Sequence, residues 1–251
     1  MMKSKLLLIT GLLILAGCRE TPNKTSNKGE TTSSAKWETL SKINSFEGWH
    51  IFQNESNLKS GWTVEDGVFT FDATNAKGEG NKSLLTDDVY SSFEIMFEWK
   101  LSAKSNSGFM WGVNEDYKYT HPFSTGPEIQ ILDIIQSDGS LPNPKHSAGA
   151  LYDLIAPKKN VNKKAGDWNS FLITIDHRQN YGEVIHNGTK VSSFNLSGDS
   201  WDEMVKNSKF SNYEDKSFRH GDFGKFKKGH LVIQDHPGII SYRNMKILEL
   251  D

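Results

Sequence analysis

The segment Glu128–Asp133 carries the residues best suited to chemistry, because it places two carboxyls and one amide close together. On a regular strand Glu128 and Gln130 share a face, while Asp133 points the other way. A one-residue bulge between Gln130 and Asp133 would bring all three to one face. Two carboxyls flanking a glycosidic oxygen can protonate it and stabilise developing positive charge. The alternative is structural, with Glu128 paired to a cation and Asp133 ending the strand.

A second candidate cluster is Gln234-Asp235-His236, which precedes Pro237-Gly238 and therefore ends a strand in a turn. Histidine can act as a general acid or base near neutral pH. Asp235 could orient a neighbouring group, and Arg243 on the next strand could hold an oxyanion or a carboxylate. The alternative is a structural hairpin whose polar side chains satisfy one another.

Aromatic side chains give a third signal, since sugar C–H faces stack on aromatic rings. Trp111 and Tyr152 lie beside polar residues in apolar runs and are candidate sugar-binding residues, and Lys100 is a weaker one. The alternative is that both rings belong to the core and that Lys100 is solvated.

We expect Glu128, Gln130, Asp133 and His236 to share one pocket on a concave sheet. In Glu128-Ile129-Gln130-Ile131 the polar groups lie on one face and the two isoleucines on the other, towards a core. A single pocket of ligand size, roughly 300–1,000 Å³, would suit this arrangement.

Period-two alternation predicts the strands that must position these residues. It is clearest in Phe93–Leu101, and it recurs in Val68–Phe71 and Phe171–Ile175. Asp66-Gly67 and Asn187-Gly188 are hairpin dipeptides. Ser200 and Glu203 predict a capping box that opens one short helix over 201–207. The pattern indicates an all-β sandwich of two antiparallel sheets with one short helix, a single domain over 37–251.

The amino terminus predicts a lipoprotein signal peptide over residues 1–17. Lys3 and Lys5 precede a short apolar run, and Leu15-Ala16-Gly17-Cys18 resembles a bacterial lipobox. Lipidation at Cys18 would attach the chain to a membrane. Residues 18–36 then form a polar linker. Since Arg19 follows the cysteine, we expect the outer membrane of a bacterial envelope, on its periplasmic or surface side.

The composition excludes several function classes. Lys and Arg total 29 against 31 Asp and Glu, so the formal charge is -2. The chain therefore lacks the excess of positive charge that is typical of nucleic-acid-binding proteins. The single cysteine excludes an internal disulfide and a multi-thiolate zinc site. The sequence has no P-loop, Gly-x-Ser-x-Gly elbow or His-Glu-x-x-His motif. We expect no cofactor and no catalytic metal; a structural Ca²⁺ is compatible with the loops but is not specified by any motif. A monomer is expected.

Several stretches, taken in their order along the chain, resemble one family. They are Trp62–Val68, Phe93–Lys100, Asn106–Gly108, Gly126–Asp133, Gly149–Asp153, Gly166–Asn169, Asn187–Gly188, Lys209–Phe210, Gly229–His230, Gln234–His236 and Arg243–Ile247. The family is that of the 3-keto-disaccharide hydrolase domains, formerly a domain of unknown function. The resemblance covers roughly residues 40–250 and implies a concanavalin A-like jelly-roll sandwich. The Glu128–Asp133 segment also resembles the bulged carboxylate strand of laminarinase-type glucanases, with a neutral Gln in the middle position.

The resemblance implies cleavage of glycosides whose glucose ring carries a ketone at C3. Such a ketone acidifies the C2 hydrogen, so a base can remove it and the C1 substituent can leave by β-elimination, with water adding afterwards. Glu128 or His236 could be the base, and Arg243 or Gln130 could support the enolate. A direct route would instead use Glu128 and Asp133 as a glycosidase pair. Two non-enzymatic alternatives are a carbohydrate-binding lipoprotein and a structural envelope protein.

Overall fold

The computed structural model describes residues 36–54, 61–134 and 141–250 of the chain. The predicted signal peptide, Cys18 and all but the last residue of the predicted linker lie outside these ranges. Within the described ranges, the strands of the first half are β1 (Glu38–Thr39), β2 (Trp49–Ile51), β3 (Trp62–Glu65), β4 (Val68–Asp72), β5 (Leu84–Tyr90), β6 (Phe93–Leu101) and β7 (Asn106–Val113). Those of the second half are β8 (Glu128–Leu132), β9 (Asn169–Asp176), β10 (Tyr181–His186), β11 (Thr189–Phe194), β12 (Gly229–Ile233) and β13 (Ile239–Glu249).

These strands form two antiparallel sheets, which confirms the predicted β-sandwich. The larger sheet has the order β11-β10-β9-β6-β13-β4-β3, and β1 also pairs with β13. The smaller sheet has the order β2-β5-β12-β7-β8. Strand β8 is therefore at the edge of the smaller sheet, one strand away from β12.

The core fills the space between the sheets with the inward side of each alternating strand. In β6 every second residue from Phe93 to Leu101 is buried, while the residues between them are half-buried on the outer face. Phe97 packs against Phe109 of β7 and Tyr242 of β13, with ring centroids 5.5 and 5.9 Å apart. Aromatic packing between the two sheets therefore stabilises the smaller sheet from its inner side.

Both predicted hairpin dipeptides are confirmed. Asp66 and Gly67 have φ values of 50° and 75° between β3 and β4, and Asn187 and Gly188 have 49° and 75° between β10 and β11. Positive φ at both central positions matches the right-handed strand twist of a tight hairpin.

The predicted short helix is present, but its predicted cap is wrong. Helix α1 spans Asp199–Lys206, and its N-cap is Gly198, which makes no side-chain capping bond. Ser200 instead lies inside the helix and accepts a hydrogen bond from Asn195. Asp199 and Asp202 in the first turn complement the helix dipole. The helix has 8 residues, and no helix in the described part of the chain is long and apolar enough to cross a bilayer.

The exposed edge of β8 is covered by the segment Ala148–Tyr152. Gln130 N donates to Ala150 O at 3.0 Å, and Tyr152 N donates to Glu128 O at 2.9 Å. These bonds satisfy edge groups that would otherwise face water or another chain. They also bring the loop that carries Tyr152 against the outer face of β8.

Replacing Phe97 with alanine should destabilise the protein by about 3–5 kcal/mol, because a fully buried ring leaves a cavity between the sheets. Urea denaturation followed by circular dichroism measures this. Val89→Ala, at a side chain 37% exposed, is the control and should change stability by less than about 1 kcal/mol. Equal losses in the two variants would contradict the position assigned to Phe97.

Candidate active site

Strand β8 separates its polar and apolar side chains cleanly. Ile129 and Ile131 are fully buried in the core between the sheets. Glu128 and Gln130 alternate with them and lie on the outer face, where they line a cavity. The predicted sharing of one face by Glu128 and Gln130 is confirmed, and its cause is the strand period of two.

Glu128 is deeply buried because a glycine stands next to it. Gly108 on β7 pairs with Gln130, and a Cβ at Gly108 would lie 1.9 Å from Glu128 Oε1. The Glu128 side chain occupies that space and is only 6% exposed. Loss of hydration raises the pKa of Glu128 to about 8, and the positive charge of Lys209 opposes part of this rise. Near neutral pH the carboxyl is therefore mostly protonated.

Gln130 supports this carboxyl from its own strand. With its amide nitrogen turned towards the two nearby acceptors, Gln130 donates to Glu128 Oε1 at 3.0 Å and to Ser107 O at 2.9 Å. Gln130 is itself buried. Its amide therefore fixes the orientation of Glu128 without adding a second ionisable group.

His236 enters the same cavity from the end of β12. Its Nε2 lies 3.1 Å from Asn106 Nδ2, so this nitrogen accepts and Nδ1 carries the proton of the neutral ring. Nδ1 is buried and has no hydrogen-bond partner among the described residues. Burial lowers the pKa of His236, and the charge of Asp235 opposes this. The ring is therefore a neutral donor whose Nδ1–H is unused in this structure.

Lys209 faces the cavity from a 3₁₀ turn at Lys209–Ser211. Asp153 holds the turn, because its Oδ2 accepts from Lys209 N at 2.9 Å. Oδ1 of Asp153 lies 2.8 Å from His146 Nε2. The Lys209 ammonium lies 4.1 Å from the ring centroid of Tyr152. A cation is thus held at the mouth of the cavity, opposite the buried carboxyl.

The cavity has a volume of about 150 Å³, which is smaller than the pocket we predicted. A drug-sized ligand is usually enclosed by roughly 300–1,000 Å³, so this space suits one part of a larger substrate. Its lining residues are Asn106, Phe123, Gly126, Glu128, Gln130, Tyr152, Lys209, Phe210, Gln234 and His236.

The structure brings together five of the predicted site residues: Glu128, Gln130, Tyr152, Gln234 and His236. Three come from β8 and the loop that covers its edge, and two come from the end of β12. Their individual roles stay predictions.

Asp133 does not line this cavity, so the prediction that it shares the pocket is wrong, and no bulge brings it there. The pairing of β8 with β7 runs without a register shift from Glu128 to Leu132. The Asp133 carboxylate accepts instead from Lys104 N at 2.7 Å and from Ile134 N at 2.8 Å. It therefore caps the end of the strand, as the structural alternative proposed.

Trp111 and Asp235 also lie outside the cavity. Trp111 belongs to the core and stacks on Phe194 with ring centroids 6.2 Å apart, so its prediction as a sugar-binding residue is wrong. Asp235 accepts from Ser83 Oγ at 2.6 Å, which ties the end of β12 to the residue before β5. With this bond, the Asp235 carboxylate is not among the side chains that line the cavity.

Arg243 and Lys100 lie on the outer face of the larger sheet and not at the predicted site. Arg243 Nε donates to Glu98 Oε2 at 2.7 Å. The Arg243 guanidinium and the Lys100 ammonium lie 4.0 and 4.8 Å from the ring centroid of Trp168. Arg243 lies on β13, which belongs to the larger sheet, whereas His236 follows β12 of the smaller sheet. The two residues are therefore close in sequence but lie on different sheets.

The sequence analysis missed five cavity residues as candidates: Asn106, Phe123, Gly126, Lys209 and Phe210. Asn106–Gly108, Gly126–Asp133 and Lys209–Phe210 were among the segments that carried the family resemblance, so that signal could have identified four of them. No local pattern marks Phe123, which reaches the cavity from the loop between β7 and β8. In the described part of the chain, no three His, Asp or Glu side chains converge as metal ligands.

Comparison with known proteins identifies the family. The family described as 3-keto-alpha-glucoside-1,2-lyase-like domain matches residues 36–248. The chain therefore belongs to this family. The match agrees with the resemblance drawn from the sequence and confirms the prediction of a glycoside-cleaving enzyme.

A curated relative and two solved structures support this assignment. The chain is 28% identical to a 3-keto-disaccharide hydrolase of Bacteroides thetaiotaomicron, over 82% of this chain and 76% of that one. A crystal structure of a candidate glycosyl hydrolase from Parabacteroides distasonis has a TM-score of 0.75 at 29% identity, covering 86% of this chain and 94% of the other. A second candidate glycosyl hydrolase from that organism has a TM-score of 0.62 at 25% identity, covering 86% and 100%.

The buried carboxyl should make stability depend on pH. Unfolding returns Glu128 to its usual pKa of 4.5, so between pH 4.5 and 8 the folded state binds more protons and loses stability as pH rises. Glu128→Gln removes this titration. We expect the melting temperature of the wild type, relative to Glu128→Gln, to fall by at least about 3 °C from pH 5 to pH 9.

Differential scanning calorimetry of both proteins across this range measures the difference. Asp133→Asn is the matched control, since its carboxylate lies outside the cavity. Parallel melting curves for the wild type and Glu128→Gln at every pH would contradict a raised pKa at Glu128.

Proposed function

We propose that the protein cleaves 3-keto-glucosides by eliminating the C1 substituent, followed by addition of water. The observation that carries this proposal is that Glu128 is the one carboxyl among the described residues lining the cavity, where it faces Lys209 and His236. Direct glycoside hydrolysis ordinarily requires two carboxyls flanking the bond. The family description and the name of the Bacteroides relative support a 3-keto substrate.

Glu128 is the base in this proposal. A carboxylate with a pKa of about 8 is a far stronger base than one with a pKa near 4.5. The hydrogen at C2 is acidic only because the C3 ketone delocalises the resulting negative charge. A buried carboxylate of increased basicity matches that requirement.

His236 and Lys209 supply the two donors that elimination needs. The buried Nδ1–H of His236 lacks a partner among the described residues, so it is available to the C3 oxygen as negative charge develops. The Lys209 ammonium is exposed at the cavity mouth and can give a proton to the departing oxygen and regain one from water. The different burial of the two groups therefore separates their roles.

The proposed steps balance in protons and electrons. The C2–H bond breaks, its proton goes to Glu128, and its electron pair forms the C1–C2 double bond as the C1–O bond breaks. The leaving oxygen takes a proton from Lys209. Water then adds at C1 and gives its proton to the Lys209 amine, while Glu128 returns its proton to C2. The net reaction is hydrolysis.

The alternative of a non-catalytic carbohydrate-binding protein is less well supported. A binding module needs an aromatic groove with few ionisable groups. Here one cavity holds a carboxyl with a raised pKa and a histidine with a lowered pKa, a combination typical of catalytic sites.

The purified protein should release sugar from 3-keto-glucosides and not from the parent glucosides. Deuterium at C2 of the substrate should slow kcat/KM by a primary isotope effect, because elimination breaks this bond. Chromatography of the products measures both results. Equal rates with both isotopes during efficient cleavage would point to direct hydrolysis and overturn the elimination route.

Glu128→Gln and His236→Ala should each lower turnover by about 10²-fold or more, because each removes a group acting on the proton or the charge. The wild-type kcat/KM should rise with pH up to about 8 as Glu128 ionises. Asp133→Asn is the matched carboxylate control and should stay within about threefold of the wild type. A loss at Asp133 equal to that at Glu128 would restore the two-carboxyl mechanism.

We also propose that the enzyme is attached to the bacterial envelope, with the outer membrane favoured, through lipid on Cys18. The support is the sequence alone: a positive start, a short apolar run and a small residue before the single cysteine. Several acyl chains on one residue would give stable attachment.

Cys18→Ala should move the protein from the membrane fraction to the soluble fraction, because no acyl chain can then be attached. Fractionation followed by immunoblotting measures this. Arg19→Ala is a neighbouring control that should stay with the membrane. Membrane retention of Cys18→Ala would contradict lipid attachment.

A further inference from the structure

A second cavity of about 510 Å³ lies beside α1 and is more than three times the volume of the candidate active site. It falls within the range of pockets that enclose a small-molecule ligand. Its walls come from the ends of β9 and β11, from α1 and from the segment that follows it. The lining residues are His177, Leu196, Ser197, Trp201, Asp202, Val205, Lys206, Phe210, Ser211, Tyr213, Gly221, Phe223, Gly224, Lys225 and Lys227.

One wall of this cavity is formed by stacked aromatic rings. The Trp201 and Phe223 rings lie within 8° of parallel with centroids 6.4 Å apart, and Phe210 and Phe223 are stacked at 3.7 Å. Gly224 allows this packing, since a Cβ there would lie 2.3 Å from Trp201 Cζ2. Leu196 and Val205 extend the apolar wall. These apolar side chains favour a ligand with an apolar part.

The rim of the cavity is positively charged. Lys206, Lys225 and Lys227 line it and are exposed, against a single carboxylate, Asp202. The ion pairs found among the described residues involve none of these three lysines. Three lysines at the rim of a cavity with an apolar wall favour a ligand that carries negative charge at one end.

A buried polar atom also points to a missing partner. His177 lines the cavity, and its Nε2 is buried without a hydrogen-bond partner in the described part of the chain. Such unpaired buried nitrogens are uncommon and call for an explanation. A polar group on a bound ligand would satisfy it.

This cavity is separate from the candidate active site. Phe210 lines both, and with Phe218 and Phe223 it forms a buried aromatic wall. The ring centroids of Phe210 and Phe218 are 5.2 Å apart. A ligand in the larger cavity would therefore lie behind the catalytic cavity and not reach Glu128.

We propose that the larger cavity is a binding site for a small aromatic carboxylate. Its ring would pack against the apolar wall of the cavity, and its carboxylate would face the lysines of the rim. A sugar acid fits less well, because the wall offers few of the amide and carboxylate groups that bind hydroxyls. This site is independent of the proposed elimination chemistry.

Isothermal titration calorimetry with 4-hydroxycinnamate tests the site, using the purified full-length protein. We expect one molecule to bind per chain. A triple variant, Lys206→Gln with Lys225→Gln and Lys227→Gln, should weaken binding by at least about tenfold, since three charges are removed. A matched triple at exposed lysines away from both cavities, Lys42→Gln with Lys164→Gln and Lys246→Gln, should stay within about threefold.

Further measurements identify the cavity and the ligand class. Glu128→Gln should bind 4-hydroxycinnamate as the wild type does, and 4-hydroxycinnamyl alcohol and glucuronate should both bind at least about tenfold more weakly. Loss of binding in Glu128→Gln would place the ligand in the other cavity and overturn the proposal. So would equal loss in the two lysine triples, equally tight glucuronate, or no binding of 4-hydroxycinnamate at millimolar concentration.

Discussion

The burial of one carboxyl, that of Glu128, is the constraint on which the site depends. Water is kept from it by the β7 backbone at Gly108, by the amide of Gln130 and by the loops above β8. The same desolvation raises its pKa and makes it a stronger base when ionised. As pH rises, Glu128 ionises and becomes the proposed base. The same ionisation places a charge in a buried position and lowers the stability of the folded state, so packing elsewhere in the core must offset it.

Packing in the core between the two sheets offsets the free-energy cost of burying Glu128. Ile129 and Ile131 anchor β8 in the layer between the sheets, and the aromatic packing around Phe97 joins that layer to the larger sheet. Ser107 Oγ bonds both to Tyr242 Oη at 2.7 Å and to Gln234 O at 2.6 Å, linking β7, β13 and the end of β12. The strands that carry the site are thus fixed from the inner side, where solvent cannot compete.

Two loops place further polar side chains beside the strands of the site. Asp153 accepts from Lys209 N and lies against His146, so one carboxylate organises two loops distant in sequence. This places a cation at the mouth of a cavity whose floor is a neutral acid and a neutral histidine. The arrangement is suited to moving protons in and out of a substrate ring, because the buried and exposed groups differ in their access to water.

The sequence by itself determined the alternating strands, the two tight hairpins and the shared face of Glu128 and Gln130, because these depend on neighbours along one strand. It also marked His236, at the end of a strand closed by Pro237-Gly238. Only the tertiary structure decided that Asp133 caps its strand, that Trp111 belongs to the core and that Arg243 faces Trp168 on the other sheet. Lys209 and Asn106 join the site through contacts across many residues, and period-two patterns contain no information about which strands become neighbours.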